Sequence, residues 1–167
     1  MPATRADLQA RLDALGITTE TIEHEAVFTV EEAKAHRGQM SGGHIKNLFL
    51  KDKKGGLWLV VCLEDRGVDM NALSKRLGAP RFSFGKPDLL MEVLGVEPGS
   101  VTPLAVINDP EGRVKLILDA DLMQHDPVNA HPLVNTATTR IAPADLLTFC
   151  RDCGHEPVLS QIDERQD

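Results

Sequence analysis

The chain has 167 residues, 42% of them hydrophobic but only 4% aromatic, and carries a formal net charge of -7. That length suits one globular domain with a real core, while the scarcity of aromatic rings argues against RRM-like or OB-like sheets that stack bases. No run approaches the roughly 20 apolar residues of a membrane span, the N-terminus lacks a signal peptide's apolar stretch, and three cysteines, an odd number, fit a reducing, cytoplasmic compartment better than a disulfide framework.

Taken in chain order, RADLQARLDALG places Leu8, Leu12 and Leu15 at helical spacing and predicts a helix from about Ala6 to Leu15, stopped by Gly16. ITTETIEH follows as a short strand. Thr29 and Glu32 form a capping-box pattern, so TVEEAKAHR is expected to open a second helix, after which Gly38, Gly42 and Gly43 punctuate a loop. IKNLFLKD and LWLVVCLE flank KKGG as a hairpin with Lys46 at the start of its first strand. MNALSKRLG reads as a helix closed by Gly78, RFSF as a brief strand, and KPDLLMEVLG as a helix with Pro87 in its first turn and Gly95 at its end. LAVIND and RVKLILD bracket Pro110-Glu111-Gly112 as a second hairpin, entered by the stiff loop PGSVTP. Beyond a polar stretch with a β-branched tail, PADLLTFCRDCG is a last helix and HEPVLSQ a loop or edge strand. With no repeat, no dividing linker and no βαβ rhythm, the expectation is a single α+β domain over residues 1–167, its mixed, mostly antiparallel sheet surrounded by helices.

The charge is unevenly laid out. From Lys34 to Lys86 eleven Lys or Arg stand against Asp52, Glu64, Asp65 and Asp69, a net +7, whereas the remainder nets -14. A basic face on an acidic body suits a phosphate-bearing partner; the same segregation also solubilises a surface.

Two thiols and an imidazole in Cys150-Arg-Asp-Cys153-Gly-His155 have the donor types of a zinc site. A fourth ligand is not apparent, a single CxxC at a helix end is also an incidental pattern, and no metal or other cofactor is expected. Cys62, inside LVVCL, reads as a small core residue. There is no GxSxG and no Walker A motif. What remains are polar residues at strand and loop boundaries: Lys46-Asn47, the loop Gly99 to Pro103, Asn129 and His131, and Asn135 to Thr139. Each alone is explained by a turn, a cap or a strand end. Together they supply a cation, backbone N–H groups, a histidine and hydroxyls, the components of an anion or ester site.

HEAVFTVEEAKAHRG, KNLFLKDKKG, LSKRLGAPRFSFGKPDLL, PGSVTPLAVIND and HPLVNTATT closely resemble the freestanding relatives of the bacterial prolyl-tRNA synthetase editing (INS, YbaK-like) domain, above all its alanyl-tRNA(Pro) trans-editing branch, ProXp-ala. The resemblance runs from about residue 6 to 157 and implies a compact domain that hydrolyses the ester joining a wrongly attached amino acid to tRNA. On matching positions it implies that Gly99, Ser100, Val101, Thr102 and Pro103 line the aminoacyl group, with N–H groups aimed at the oxygen that becomes anionic. Lys46 would take the phosphate of the terminal adenosine, Asn47 would position the substrate, and His131 would orient substrate or water, the 2′-hydroxyl of the terminal ribose being an alternative proton acceptor. Thr136 joins the substrate-binding set, and Arg81 and Lys51 join a tRNA-facing rim. Val101, Leu104 and Phe49 are expected to wall a pocket that admits alanine and rejects proline. The implied partners are mischarged tRNA(Pro) and, as a further candidate, prolyl-tRNA synthetase, with no membrane and no DNA, since no helix-turn-helix pattern is present. Two classes of function stay open: a hydrolase for alanyl esters, or for cysteinyl, seryl or threonyl esters, and a catalytically silent tRNA- or synthetase-binding module.

Overall fold

The alternating residues Gly43–Asp52 (β2) turn at Lys53 and return as the apolar run Leu57–Leu63 (β3). This hairpin forms the middle of an eight-stranded sheet in the computed structural model, which describes residues 2–26 and 41–165. The other strands are Glu20–Glu23 (β1), Phe82–Phe84 (β4), Val114–Asp119 (β5), Val128–Ala130 (β6), Ala137–Ile141 (β7) and Val158–Ser160 (β8). Their order is β1-β7-β6-β2-β3-β5-β8, with β4 paired to β2. Four pairings are antiparallel (β1–β7, β2–β3, β2–β4, β6–β7) and three parallel (β2–β6, β3–β5, β5–β8), so the sheet is mixed as expected.

Period-two alternation divides the interior into two cores. Phe49, Leu57, Leu59, Val61, Leu116 and Leu118 face one cluster, which is covered by the helices Arg5–Ala14 (α1), Pro87–Leu94 (α3) and Pro143–Asp152 (α4) through Leu8, Leu12, Leu90, Leu94, Leu146 and Phe149. Leu50, Trp58, Val60, Cys62 and Ile117 face a second, smaller cluster closed by Leu73 of the helix Met70–Arg76 (α2) and by Phe82. The helices begin and end where their sequences say. Thr4 and Asp7 complete a capping box on α1, Asp69 caps α2, Pro87 and Pro143 occupy first turns, and Gly95 ends α3 with φ 66°.

The second hairpin does not form. Pro103–Asn108 is a 3₁₀ turn, capped by Thr102 Oγ1 accepting from Leu104 N–H at 3.3 Å. Every residue from Val101 to Val106 is buried, so the segment lacks the one-sided exposure of a half-buried strand, and Pro103 has no N–H to give a ladder. Asp109 then accepts from Arg113 and Val114 N–H groups and launches β5, which runs parallel to β3. β1 is shorter than the expected ITTETIEH strand, and β6 arises inside the stretch read only as polar. The helix expected at TVEEAKAHR, its Thr29–Glu32 cap and Gly38 lie outside the described residues. Among the described residues no helix is long and apolar enough to cross a membrane.

Asp52 fastens the central hairpin. Its carboxylate accepts from Lys54 N–H and Gly56 N–H at 2.9 Å and from the Trp58 indole at 3.0 Å. The Trp58 bond, with help from the two backbone donors and Lys115, holds this carboxyl below the usual aspartate range. A carboxyl with a depressed folded pKa stabilises above its unfolded value and loses that contribution as pH falls through the folded one. Asp52→Ala is therefore expected to lower unfolding free energy by about 1–3 kcal/mol at neutral pH, because it orphans a buried indole N–H. In urea titrations that deficit should narrow in strong acid; an unchanged midpoint at neutral pH would remove Asp52 from this role.

Candidate active site

Neighbours on a strand point to opposite faces, and this separates Lys46 from Asn47. Asn47 sits opposite Val61 and faces the larger core with Ile45 and Phe49, whereas Lys46 sits opposite Cys62 and faces the smaller one with Leu48 and Leu50. Asn47 Oδ1 is buried without a hydrogen-bond partner among the described residues. A buried acceptor left unpaired costs about 1–3 kcal/mol, so such an atom in a folded protein calls for an explanation. The Lys46 ammonium donates to the Arg66 carbonyl. Arg66 in turn is fixed by Asp119 (3.1 Å), Asp121 and Glu164.

The flank of β2 opposite β3 is interrupted at these residues. β6 pairs with Gly43 and His44, β4 pairs with Leu50 to Asp52, and between them no strand among the described residues covers Ile45 to Leu48. Because β6 runs parallel to β2 and its last pair is His44↔Asn129, His131 emerges two positions later on the flank where Lys46 and Asn47 follow. Asn129 Nδ2 donates to the Ser41 and Gly43 carbonyls, both at 3.1 Å, and Arg140 Nη2 donates to Ser41 O and Oγ. These bonds fix where β2 begins.

His131 Nδ1 lies 3.1 Å from the Ala137 carbonyl. A carbonyl can only accept, so Nδ1 carries the proton and Nε2 of the neutral ring is an acceptor. Burial pushes the His131 pKa down, the Ala137 bond opposes this, and His24, with ring centroids 6.5 Å apart, adds to the lowering. His24 is itself oriented: Nδ1 donates to the Glu25 carbonyl at 2.7 Å and Nε2 meets Thr138 Oγ1 at 2.8 Å. Its backbone N–H bonds Thr136 O, so His24 clamps the entry to β7, whose Ala137 carbonyl sets the His131 tautomer. In the sequence Thr138 reads only as one hydroxyl of the Asn135 to Thr139 group, and His24 only as the end of the ITTETIEH strand; nothing in either stretch pairs the two.

The loop from Gly99 to Pro103 is built by two successive 3₁₀ turns. Ser100 is buried and its backbone N–H is committed to Glu97 O at 2.8 Å, so that N–H is not aimed at a ligand and only the hydroxyl is left as a donor. The Gly99, Val101 and Thr102 N–H groups show no hydrogen bond to another described residue and are the backbone donors the loop can offer. Val101 and Leu104 belong to the larger core, as Phe49 does, so these three share the side of the sheet that Asn47 faces. Thr136 is exposed, as are Arg81 and Lys51. The structure thus places Asn47, Val101, Leu104 and Phe49 on one face, delivers His131 to the adjoining flank, and puts Lys46 on the other face.

Residues 24–149 match the family model of the aminoacyl-tRNA editing domain. The chain belongs to this family. It is 44% identical over 165 residues, 96% of each chain, to prolyl-tRNA synthetase associated domain-containing protein 1 of Bos taurus. It is 36% identical over 138 residues, 82% of this chain and 84% of the other, to the prolyl-tRNA editing protein ProX of Acetoanaerobium sticklandii. Among solved structures it is similar to hypothetical protein APE2540, with TM-score 0.76 and 22% identity over 96% of this chain and all of that one. It also matches a candidate trans-editing enzyme for prolyl tRNA synthetase, with TM-score 0.73 and 24% identity over 99% of this chain and 100% of the other. These structural likenesses show the α+β editing-domain fold.

The cysteines of this editing domain are buried thiols. Burial pushes Cys62 and Cys150 up to about 12 and Cys153 up to about 11. His155 is engaged by Asp109, its Nε2 lying 2.7 Å from the carbonyl, and among the described residues no three His, Cys, Asp or Glu side chains converge as metal ligands.

Because the folded His131 pKa is lowered, this histidine stabilises the fold above its unfolded pKa near 6.5 and loses that contribution as pH falls through the folded value. Nitrogen-detected NMR should show the Nδ1–H tautomer at neutral pH and protonation only below the usual histidine range. A protonated ring at neutral pH would contradict this geometry.

Proposed function

We propose that this editing domain hydrolyses alanyl-tRNA(Pro) in trans. The observation that carries the reading is Asn47: a buried acceptor without a partner among the described residues, on the same side of the sheet as Val101, Leu104 and Phe49. Such an oxygen suits the α-ammonium of an aminoacyl ester, which supplies the donor that the protein does not. The ester carbonyl then lies toward Gly99 and Thr102, whose N–H groups stabilise the oxyanion as water adds to the carbonyl carbon. His131 Nε2 orients that water. The water proton passes to the neighbouring 2′-hydroxyl system and on to the departing 3′-oxygen, so the products are alanine and a tRNA with its 3′-hydroxyl restored. No cofactor takes part.

Selection among amino acids is steric. A synthetase site built for proline cannot exclude smaller alanine strongly, since a missing methylene is worth only about 1–3 kcal/mol. A small second pocket walled by buried Val101, Leu104 and Phe49 reverses that preference. The relative that edits prolyl-tRNA supports tRNA(Pro) as the carrier, and the synthetase-associated relatives support prolyl-tRNA synthetase as a partner. Lys51 and Arg81 supply rim contacts to tRNA phosphates, and Thr136 borders the entrance. Lys46 reaches the terminal phosphate by exchanging its Arg66 carbonyl for a charged acceptor. That same Arg66 bond favours a second reading, a tRNA-binding module without hydrolysis, in which Lys46 is purely structural.

Chelator-treated protein is expected to clear alanyl-tRNA(Pro) while sparing prolyl-tRNA(Pro). Clearance of cysteinyl or seryl esters instead would move the specificity, and clearance of none would favour the binding module. Asn47→Ala should lower kcat/KM about 10- to 150-fold, the worth of a hydrogen bond to a charged group, without lowering Tm, because it removes an orphaned acceptor. Lys46→Ala separates the two readings: the hydrolase loses deacylation far more than stability, and the module loses stability alone.

A further inference from the structure

Between Met70 and Pro87 the chain carries four cations, Lys75, Arg76, Arg81 and Lys86, and no carboxylate, although its net charge is -7. This segment forms α2, the edge strand β4 and the entry to α3. Arg76 is committed to Asp163 at 2.8 Å. Lys75, Arg81 and Lys86 are exposed and make no ion pair among the described residues; Lys51 is likewise exposed without an ion pair, but it lies opposite Ser83 in the β2–β4 ladder and so faces the other side of the sheet from Phe84. The carboxylates that flank the segment are otherwise placed: Asp69 caps α2, Asp163 pairs with Arg76, Asp52 is buried and bound to Trp58, and Asp88 lies beyond Lys86 in the first turn of α3.

Among these cations stands Phe84, 67% exposed, whereas Phe49, Phe82, Phe149 and Trp58 are all 7% exposed or less. Phe84 is not on a slack loop. It pairs with Leu50, and the next residue, Gly85, donates its N–H to Phe49 O at 2.9 Å and approaches the Phe49 ring so closely that an added Cβ would lie 2.3 Å from it. A rigidly presented ring that forgoes burial, in a segment of exposed cations that make no ion pair among the described residues, has the chemistry of a stacking platform beside phosphate contacts. A protein-docking core would instead gather several apolar side chains and deplete charge.

We infer that Phe84 stacks an unpaired nucleobase of an RNA strand whose phosphates lie along Lys75, Arg81 and Lys86. The inference rests on tRNA being the substrate, and it adds a base-stacking surface to the phosphate rim. Stacking on one ring is tolerant of sequence, so this surface contributes affinity and placement of the strand while leaving base identity to other contacts.

The test uses the full chain and an uncharged RNA hairpin that copies the acceptor stem of tRNA(Pro) with its single-stranded 3′ end, titrated by fluorescence anisotropy across a salt series. Phe84→Ala should weaken binding about 5- to 150-fold with no change in the slope of log K against log salt, and with Tm unchanged. Phe84→Trp should restore affinity. Arg81→Ala and Lys86→Ala should each reduce the salt slope by about 0.7–0.9. Wild-type affinity in Phe84→Ala, or an equal loss on a blunt duplex without unpaired bases, would overturn the stacking role. So would unchanged RNA affinity combined with lost association to prolyl-tRNA synthetase, which would assign the ring to a protein partner. Since uncharged RNA is not hydrolysed, these outcomes stand apart from the deacylation result.

Discussion

A β-strand cannot send two consecutive side chains to the same face, and at the middle of β2 this constraint organises both the interior and the chemistry. Phe49 and Leu50 anchor two different cores. One step earlier along the same strand, Asn47 and Lys46 are divided in the same way. The apolar pairs hold the strand's rotation, and that rotation aims an unpaired amide oxygen toward one side and an ammonium toward the other. The flank then supplies the rest, because β6 and β4 cover only the two ends of that edge and the parallel β6 delivers His131 between them.

Electrostatics are arranged around this frame by commitment and by omission. Arg66 is tied to Asp119, Asp121 and Glu164, Arg76 to Asp163, and Arg113 to Glu92. The cations beside β4 have no such partners among the described residues, although the chain has acids in excess. Surface ion pairs contribute little to stability, so leaving these unpaired costs the fold little and keeps a field available to a polyanion.

Much of the fold is legible in the sequence because its strongest signals are local. The β2–β3 hairpin follows from two apolar runs around KKGG, and α2, α3 and α4 follow from apolar spacing closed by Gly78, Gly95 and Gly154. LAVIND misleads for a physical reason: a segment buried on every side has no alternation, so helical turn and buried strand look alike until Pro103 and the Thr102 cap decide. The site is only partly legible. Resemblance points to Asn47, the Gly99 loop and His131, and strand periodicity alone already separates Lys46 from Asn47. The commitment of Ser100 N–H to Glu97 belongs to a single 3₁₀ turn that no periodic pattern marks, and the clamp of His24 on Thr136 and Thr138 depends on contacts between segments far apart in the chain.

The claim most in need of direct contact with experiment is that the Asn47 side of β2 receives the aminoacyl group. Titration of isotope-labelled protein with a non-hydrolysable alanyl-adenosine amide, followed by NMR, addresses it without relying on turnover. The account predicts that the Asn47 side-chain amide, the Gly99 and Thr102 backbone amides and the His131 ring shift together at one saturating affinity. Unmoved signals at those four residues, with shifts confined to another part of the surface such as the groove beside Gly112 and Val158, would contradict it.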